Sequence, residues 1–344
     1  NNSIENKICS SNYTLINVRW KQFKLFPLIL KYILFTTNVW IKFLYYGIKE
    51  KPDLVHCHDT LVLPVALILK FIHKSRIIYD AHELESKAGS QLKIFGKIIY
   101  FFEKICWNQV DHFITVSEKI SEWYMENLGK KKYTIILNSP QLIQSKSSNN
   151  LEYFENDYLR KKFSIPKTEK IFISVGHLGP EKGVKSIIKV FNDKNLTSHV
   201  VFLGFGQWEN LVRNESHKNP KIHLHPPVEH ELVVPLTKHA DYGLCLVEGL
   251  SLNAIYCLPN KLFELIFAGL PIVATNFPEI KRIVENYNLG ECVNDNTNDI
   301  LDGITKIKSF DIRNFKEISP LSWKTQEKKL GKLYEEVLFN KGKT

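Results

Sequence analysis

Residues 258–275 read LPNKLFELIFAGLPIVAT, a stretch that combines one helix and one buried strand. Pro259 suits the first turn of a helix, where its missing N–H costs nothing, and Gly269 suits the helix end. Pro271 then restarts the chain as the apolar strand IVAT. A helix that leads directly into a buried strand is typical of α/β proteins with a parallel sheet.

The start of this predicted helix is a candidate anion site. The backbone amides of Asn260, Lys261 and Leu262 would lie at its N-terminus, where the helix dipole favours a phosphate group. Glu264 lies one turn further on, where its carboxylate can accept hydrogen bonds from both hydroxyls of a ribose. The alternative is a capped surface helix whose glutamate is solvated.

A glycine-rich turn upstream carries a similar signal. Residues 174–183 (SVGHLGPEKG) follow a predicted strand, precede a predicted helix, and contain Gly176, His177 and Lys182. Glycines let the backbone approach a phosphate closely, while an ammonium group and helix amides supply positive charge and donors. A plain strand-to-helix turn is the alternative.

A second turn of this kind spans residues 202–207 (FLGFGQ) and contains Gly204 and Gly206. It lacks the third glycine of the dinucleotide-binding fingerprint, so nicotinamide binding is poorly supported. Two interpretations stay open: a tight turn beneath a nucleotide, or a purely structural turn.

Predicted strands alternate with predicted helices along most of the chain, and 344 residues exceed the size at which one core keeps growing. We therefore predict an α/β protein with two Rossmann-like, doubly wound domains that face each other across a cleft. The predicted units are 1–146, 151–320 and a C-terminal amphipathic helix within 321–344. The polar segment 144–150 is the best linker candidate, and the first unit looks short by one β-α-β piece at its start.

The net charge of +10 is concentrated in the first 150 residues, which hold 20 Lys/Arg against 12 Asp/Glu. A basic half could meet nucleic acid, an anionic membrane or an acidic acceptor. No helix-turn-helix, RNP or zinc-finger spacing is visible, which makes nucleic acid the weakest of these partners. Lysines interrupt the apolar residues 26–49, so a helix in the core or on a membrane surface fits this segment better than a spanning one.

The six cysteines form no CxxC pair and sit mostly in apolar runs. Buried thiols in a reducing cytosol explain them better than disulfides or zinc ligands. Residues 91–108 form a second segment rich in aromatic residues and lysine. We therefore expect a cytoplasmic protein, attached peripherally to the cytoplasmic face of a membrane through these segments.

The three blocks together resemble the family 4 (group 1) glycosyltransferases, whose GT-B fold consists of two Rossmann-like domains. The resemblance runs from about residue 52 to 338 and includes the closing Ser322-Trp323 helix, which in that family crosses back onto the N-terminal domain. It implies a UDP- or GDP-sugar donor, a glycan or lipid-linked acceptor as in surface-polysaccharide assembly, and retention of anomeric configuration. It also implies that Lys182 neutralises the donor diphosphate without any metal or other cofactor.

The loop Asp80-Ala81-His82-Glu83 follows a predicted strand and should face the cleft. On the resemblance, His82 would lie near the donor sugar and the reacting centre, where a neutral imidazole can donate or accept a hydrogen bond. We place Glu83 on the acceptor side. The alternative is that the histidine and its two carboxylates cap the following helix.

The segment His56-Cys57-His58-Asp59 invites a zinc interpretation, because alternation along a strand points His56 and His58 to the same side. No second Cys/His cluster in the sequence completes a tetrahedral set, so no metal site is predicted. We assign His58 and Asp59 to the acceptor side instead.

Two positions depart from the family pattern. His177 stands where the family commonly has an arginine, which shifts charge compensation to Lys182 and Lys261. Tyr256 stands at the first of the family's paired glutamates, so its donor contact would pass to Asn253 or Asn260. These departures leave open two alternatives: a GT-B sugar-nucleotide epimerase or phosphorylase, and a binding or scaffold protein without turnover.

Overall fold

A computed structural model describes residues 9–10, 13–14, 28–89, 93–141 and 157–339. Most of them belong to two parallel sheets, each covered by helices. The linker candidate at 144–150 lies outside the described residues, so the boundary between the two predicted domains stays a prediction.

The N-terminal region contains one four-stranded parallel sheet. Its elements are β1 (Cys9–Ser10), β2 (Tyr13–Thr14), α1 (Leu28–Glu50), β3 (Leu54–His58), α2 (Leu63–His73), β4 (Arg76–Ala81), α3 (Lys93–Trp107), β5 (His112–Thr115), α4 (Glu118–Leu128) and β6 (Tyr133–Ile135). The strand order is β3-β4-β5-β6, while β1 and β2 pair only with each other, antiparallel. Neighbouring residues of β4 enter different clusters, since Tyr79 packs on one side and Ile78 on the other.

The C-terminal region contains a six-stranded parallel sheet. Its elements are α5 (Tyr158–Phe163), β7 (Ile171–Val175), α6 (Val184–Phe191), β8 (His199–Leu203), α7 (Glu209–Lys218), β9 (Ile222–His225), α8 (His230–Thr237), β10 (Tyr242–Cys245), α9 (Leu252–Tyr256), α10 (Asn260–Phe267), β11 (Ile272–Thr275), α11 (Pro278–Tyr287), β12 (Gly290–Val293) and α12 (Thr297–Lys306). The strand order is β12-β11-β10-β7-β8-β9. The order reverses between β7 and β10, and ligands of such sheets bind beyond the carboxyl ends of strands at this switch point.

The last helix, α13 (Trp323–Phe339), packs against the first sheet rather than the second. Leu333 is buried beside Ile78 of β4 and Ile114 of β5. The fully buried Gln326 accepts a hydrogen bond from Leu137 N and donates one to Pro320 O. The α/β fold with two facing Rossmann-like sheets and a C-terminal helix that crosses back is thus confirmed.

Some elements differ from the sequence prediction. The strand β2 is described only at Tyr13–Thr14, and the first helix of the C-terminal region, α5, begins at Tyr158. The five-residue helix α9 was not predicted, because one and a half turns show no apolar period. Within the described residues, no helix combines the length and the apolar character that crossing a membrane requires.

Hydrogen bonds join the loops of the two sheets across the cleft, and three of them involve a backbone group. Leu84 N donates to Asn253 Oδ1 at 2.8 Å, and Ser117 Oγ donates to Tyr256 O at 2.9 Å. The amide of Lys119, at the start of α4, donates to the buried carboxylate of Glu279 on α11. These bonds place the loops that follow β4 and β5 against α9 and α11.

A buried carboxyl group supports the loop that follows β3. Glu103 on α3 is fully buried and accepts hydrogen bonds from the hydroxyls of Tyr124, Tyr79 and Thr60. Thr60 also donates its backbone N–H to Glu85, so two carboxylates hold the residue that directly follows Asp59. Burial raises the pKa of Glu103 to about 7, although the tyrosine hydroxyls oppose the shift.

We expect Glu103→Gln to make the protein more stable than the wild type at pH 8 and about equally stable at pH 5. The folded-state pKa of about 7 lies above the ordinary value of 4.5, so folding takes up a proton between these values, and wild-type stability falls as pH rises through this range. The difference at pH 8 should be on the order of 3 kcal/mol, since each pKa unit corresponds to about 1.4 kcal/mol.

Urea unfolding of both proteins at pH 5 and pH 8 measures this difference. Glu122→Gln is the matched control, because Glu122 lies at the surface in an ion pair with Lys119 and should leave the pH dependence unchanged. If the free energy of unfolding of Glu103→Gln fell between pH 5 and pH 8 as much as that of the wild type, the prediction would be contradicted.

Candidate active site

The turns that follow β7 and β8 pack directly against each other. Leu178 N donates to Phe205 O at 2.8 Å. A Cβ built on Gly204 would lie 1.8 Å from Gly176 O, and one built on Gly206 would lie 2.4 Å from Leu178 O. No side chain fits at these distances, so both glycines are needed for the close approach of the two turns. The packing supports the interpretation of Gly204 and Gly206 as parts of a structural turn. Direct contact of this turn with a nucleotide stays a prediction.

The turn after β7 leaves open space around Gly176, where φ is +102° and an added Cβ would meet nothing within 4 Å. The exposed ring of His177 lies close to Gly179 and Gly206, which have no side chains to obstruct it. Lys182 is half-buried, and in the part of the chain that the structure describes its ammonium has no hydrogen-bond or ion-pair partner. An unpaired ammonium group beside open backbone is suited to binding an anion.

Lys261 connects three loops at this edge of the sheet. Its Nζ donates to Leu246 O at 2.5 Å, just beyond β10, and to Lys182 O at 3.2 Å. Burial lowers the pKa of the Lys261 ammonium, and the nearby charge of Lys182 adds to this effect. The prediction that this ammonium contacts a diphosphate directly is therefore corrected, because the ammonium binds the carbonyls of two loops instead. The group of Lys261 that remains available to a ligand is its backbone amide.

Helix α10 begins where the sequence predicts it, with Pro259 as the residue before its first turn. The amide of Leu262 donates to Pro259 O at 3.0 Å, so this predicted ligand group already has a partner. Within the described residues, the amides of Asn260 and Lys261 have no protein acceptor. The free donors of this helix N-terminus are therefore Asn260 and Lys261, at the end where the dipole is positive.

Glu264 is buried on α10, and burial raises the pKa of its carboxyl group. Its Oε1 lies 3.7 Å from Nδ1 of His230, the first residue of α8. The sequence analysis did not single out His230, because nothing in the chain order relates it to a residue 34 positions away. The side chain of His230 is largely exposed, whereas that of Glu264 is buried.

Four residues form a cluster at the carboxyl ends of β3 and β4: His56, His58, Asp80 and His82. His58 Nδ1 lies 2.9 Å from His82 Nε2, and the two rings stack at 5.2 Å between centroids. Burial, followed by the neighbouring His56, lowers the pKa of His58. The predicted acceptor-side residue His58 and the predicted catalytic residue His82 therefore lie in contact, and we call this group the histidine cluster.

Asp59 follows directly after this strand with an unusual backbone. Its φ is +64°, its N–H donates to Asp80 O at 3.0 Å, and its own carboxyl group interacts with the amide of His82. A non-glycine residue in this region costs on the order of 1–3 kcal/mol and is typical of functional sites. Burial raises the pKa of the Asp59 carboxyl group, and the neighbouring His82 partly opposes this increase.

Two predicted positions take part in contacts between the sheets. Asn253 accepts from Leu84 N and donates to the Glu83 carboxylate at 3.2 Å. The side chain of Asn253 is therefore used in this bridge, and its suggested contact with the donor sugar, in place of the family's first glutamate, stays a prediction. Glu83 is exposed at the cleft, and its carboxylate accepts the hydrogen bond from Asn253. The backbone carbonyl of Tyr256 accepts a hydrogen bond from the hydroxyl of Ser117.

Two family models match the chain in its two halves. The model described as "Glycosyl transferases group 1" matches residues 155–314, and the model described as "Glycosyltransferase Family 4" matches residues 10–139. The first contains all three glycine-rich and proline-started blocks, and the second contains the histidine cluster.

Two curated relatives are about a quarter identical to this chain over the aligned regions. A chitobiosyldiphosphodolichol beta-mannosyltransferase of Kluyveromyces lactis is 24% identical over 255 residues, which are 65% of this chain and 56% of that protein. An uncharacterized glycosyltransferase of Methanocaldococcus jannaschii is 23% identical over 69% of this chain and 61% of its own length. The chain spans little more than half the length of these relatives.

Solved structures with the same fold include two with high coverage. Sucrose-phosphate synthase from Thermosynechococcus elongatus superposes with a TM-score of 0.74 at 15% identity, covering 98% of this chain and 86% of that one. Anabaena HepE in complex with UDP superposes with a TM-score of 0.67 at 14% identity, covering 88% and 82%. With both halves matched by their models and the GT-B fold shared throughout, the chain belongs to the family 4 (group 1) glycosyltransferases.

Proposed function

We propose that this protein transfers a hexose-type sugar from a UDP- or GDP-sugar to a hydroxyl group of a glycan or lipid-linked acceptor in the assembly of a surface polysaccharide or other glycoconjugate. The observation that carries the proposal is the meeting of Lys182, the free amides of α10 and the buried Glu264 at the switch point of the second sheet. An ammonium group and two backbone N–H donors suit a diphosphate, while a carboxylate one turn away suits the two hydroxyls of a ribose.

The chemistry that these groups support is the departure of the nucleoside diphosphate. Negative charge develops on the leaving phosphate, and the ammonium of Lys182 together with the amides of Asn260 and Lys261 stabilises that charge. The buried ammonium of Lys261 adds positive potential from beneath the loop, since its two carbonyl partners are neutral. We therefore propose that the reaction needs no metal ion.

Across the cleft, His82 and the acceptor-side residues His58, Asp59 and Glu83 supply hydrogen-bonding groups for the incoming sugar and the acceptor hydroxyl. We assign no protein nucleophile, and we propose that the anomeric configuration is retained. The protein's part is then to orient donor and acceptor and to stabilise the leaving group.

Two relatives support the choice of partners. Anabaena HepE has been solved with UDP-glucose, and the name of the fungal relatives specifies a diphosphodolichol-linked acceptor. By analogy we propose a nucleotide-sugar donor and a lipid-linked acceptor for this chain. The name of the fungal relatives also specifies a beta product. For this chain, retention is tested by comparing the anomeric configuration of the product with that of the donor sugar. Opposite configurations would overturn the proposal of retention.

We expect Lys182→Ala and Glu264→Ala each to weaken binding of UDP or GDP by roughly 10- to 100-fold, since a hydrogen bond to a charged group contributes about 1.5–3 kcal/mol. Isothermal titration calorimetry with both nucleotides measures the effect. Lys189→Ala is the matched control, because Lys189 is an exposed lysine on α6, the helix that follows the Lys182 turn. Nucleotide affinity that stays unchanged in both site variants would show that the site is misplaced.

Release of UDP or GDP from a panel of nucleotide sugars distinguishes the alternatives. The proposal predicts release that depends on an acceptor lipid extract and persists in EDTA. Conversion of the nucleotide sugar without release of the nucleotide would favour an epimerase. Binding without turnover, even with the extract present, would favour a scaffold protein.

We further propose that the protein attaches to the cytoplasmic face of a membrane through α1, α2 and α3. These three neighbouring helices carry a series of exposed apolar side chains: Ile33, Leu34, Ile41, Phe43, Tyr45, Ile48, Ile68, Phe71, Ile72, Ile94, Ile98, Phe101 and Ile105. Exposed lysines accompany them, at positions 49, 74, 97 and 104. Apolar side chains that enter the lipid interface while lysines meet anionic headgroups are typical of peripheral membrane helices.

We expect co-sedimentation with vesicles that contain anionic lipid, weakened by salt and by replacement of the anionic lipid with a neutral one. Phe71→Asp combined with Phe101→Asp should lower vesicle affinity at least tenfold, because burying one large apolar side chain contributes roughly 1.5–3 kcal/mol. Ile312→Asp is the control, since Ile312 is similarly exposed in the C-terminal half. Sedimentation indifferent to salt, to lipid charge and to the double substitution would count against attachment by this surface.

A further inference from the structure

The side chains of the histidine cluster converge on one carboxylate oxygen. Asp80 Oδ2 lies 3.2 Å from His56 Nε2, 3.4 Å from His58 Nδ1 and 3.5 Å from His82 Nε2. Asp80 is nearly buried, and among the described residues its only ion-pair partners are these three imidazoles. A buried carboxylate is normally paired with a cation or coordinates a metal, and no lysine or arginine of the described chain pairs with this one.

The distances from Asp80 suit a small tetrahedral ion. His56, His58 and Asp80 offer ligand atoms that all lie within 4.8 Å of one another, and His82 lies next to this group through Asp80 and His58. Zinc ligated by nitrogen and oxygen at about 2.0–2.2 Å places its ligand atoms roughly 3.3 Å apart. The three separations from Asp80 Oδ2 lie within about 0.2 Å of this value. The 2.9 Å between His58 and His82 is shorter, so these two rings must move apart by a few tenths of an ångström when an ion enters.

The cluster has a rigid half and an adaptable half. His56 and Asp80 are mostly buried on the adjacent strands β3 and β4, where His56 is paired with Ile78 and Asp80 with His58. The side chain of His58 is 60% exposed and that of His82 is 33% exposed. Two ligands are therefore held in place by the sheet, and the other two are free to adjust at its edge.

His56 also has the outer partner that a metal ligand needs. Its Nδ1 lies 2.7 Å from the hydroxyl of Tyr334 on α13. When Nδ1 donates to that oxygen, the lone pair of Nε2 points toward Asp80 and the cluster. Metal-binding histidines commonly donate their second ring N–H in this way, which fixes the ring orientation.

We propose that His56, His58, Asp80 and His82 form a binding site for a divalent transition-metal ion, with zinc as the best fit. Three imidazoles and one carboxylate suit zinc, cobalt, nickel or copper, whereas magnesium and calcium prefer all-oxygen sites. Because the ion takes the ring nitrogens of His58 and His82, it competes with their role toward the acceptor; this second part rests on the proposed function. The ion is thus an inhibitor of transfer and not its cofactor.

Cobalt alone is the probe for the site. Titration of the tag-free full-length chain with Co²⁺ should give visible absorption that saturates at one ion per chain and is abolished by one equivalent of Zn²⁺. His58→Gln and His82→Gln should each weaken binding by at least 100-fold, and Tyr334→Phe should weaken it by about 10- to 100-fold, as loss of an outer-shell partner does. His217→Gln, which changes an exposed histidine of α7, should have no effect.

Absence of saturable cobalt binding overturns the site, and so does binding that persists in both histidine variants. Cobalt bound by His58→Gln as tightly as by His217→Gln would place the ion elsewhere on the protein. Retained affinity in Tyr334→Phe would overturn the role of α13 in orienting His56. The Tyr334 variant also separates an organised site from surface histidines, which would bind cobalt without any outer partner.

Competition is tested by sugar transfer at Zn²⁺ concentrations that span the measured affinity. Inhibition that follows occupancy supports the second part, and full activity at saturating zinc overturns it while the site stands. A chain that binds cobalt but transfers no sugar under any condition overturns the proposed function and the competition together, and it leaves the metal site supported.

Discussion

The ammonium of Lys261 is the interaction on which the donor side of the molecule depends. It donates to the carbonyls of Leu246 and Lys182, and so it ties the start of α10 to the loops that follow β10 and β7. A buried cation has a large desolvation penalty, which these bonds offset only when both loops are in place. The positions of Lys182 and of the free amides of α10, which we propose bind the diphosphate, therefore depend on this buried charge.

In the N-terminal sheet, buried carboxyl groups position the loops at the carboxyl ends of the strands. Asp80 holds three imidazoles at the edge of the sheet, and Glu103 holds three hydroxyls beneath the loop that begins at Asp59. Both carboxyl groups are buried and both act through partners from other elements. The proposed acceptor side thus consists of exposed groups, above all His58, that are supported by buried hydrogen-bonded ones.

Helix α13 and the loops around α9 make the two halves depend on each other. Tyr334, near the end of the chain, bonds to His56 on the first strand of the N-terminal sheet, and Asn253 bonds to the loop after β4. The side chains of the histidine cluster and the loop after β4 are therefore positioned partly by elements of the C-terminal half. A rigid arrangement of this kind supports orientation of two substrates across one cleft.

The order of strands and helices and the position of the three blocks at strand ends follow from the sequence, because period, glycine and proline act locally. The sequence also placed Glu264 one turn into α10, since helix geometry fixes that spacing. Only the tertiary structure decided that the Lys261 ammonium points inward, that Asn253 bridges the cleft, and that His230 faces Glu264. It likewise brought Asp80 and Tyr334 to His56. Contacts between residues 24 and 278 positions apart depend on how sheets and helices pack, which no local pattern encodes.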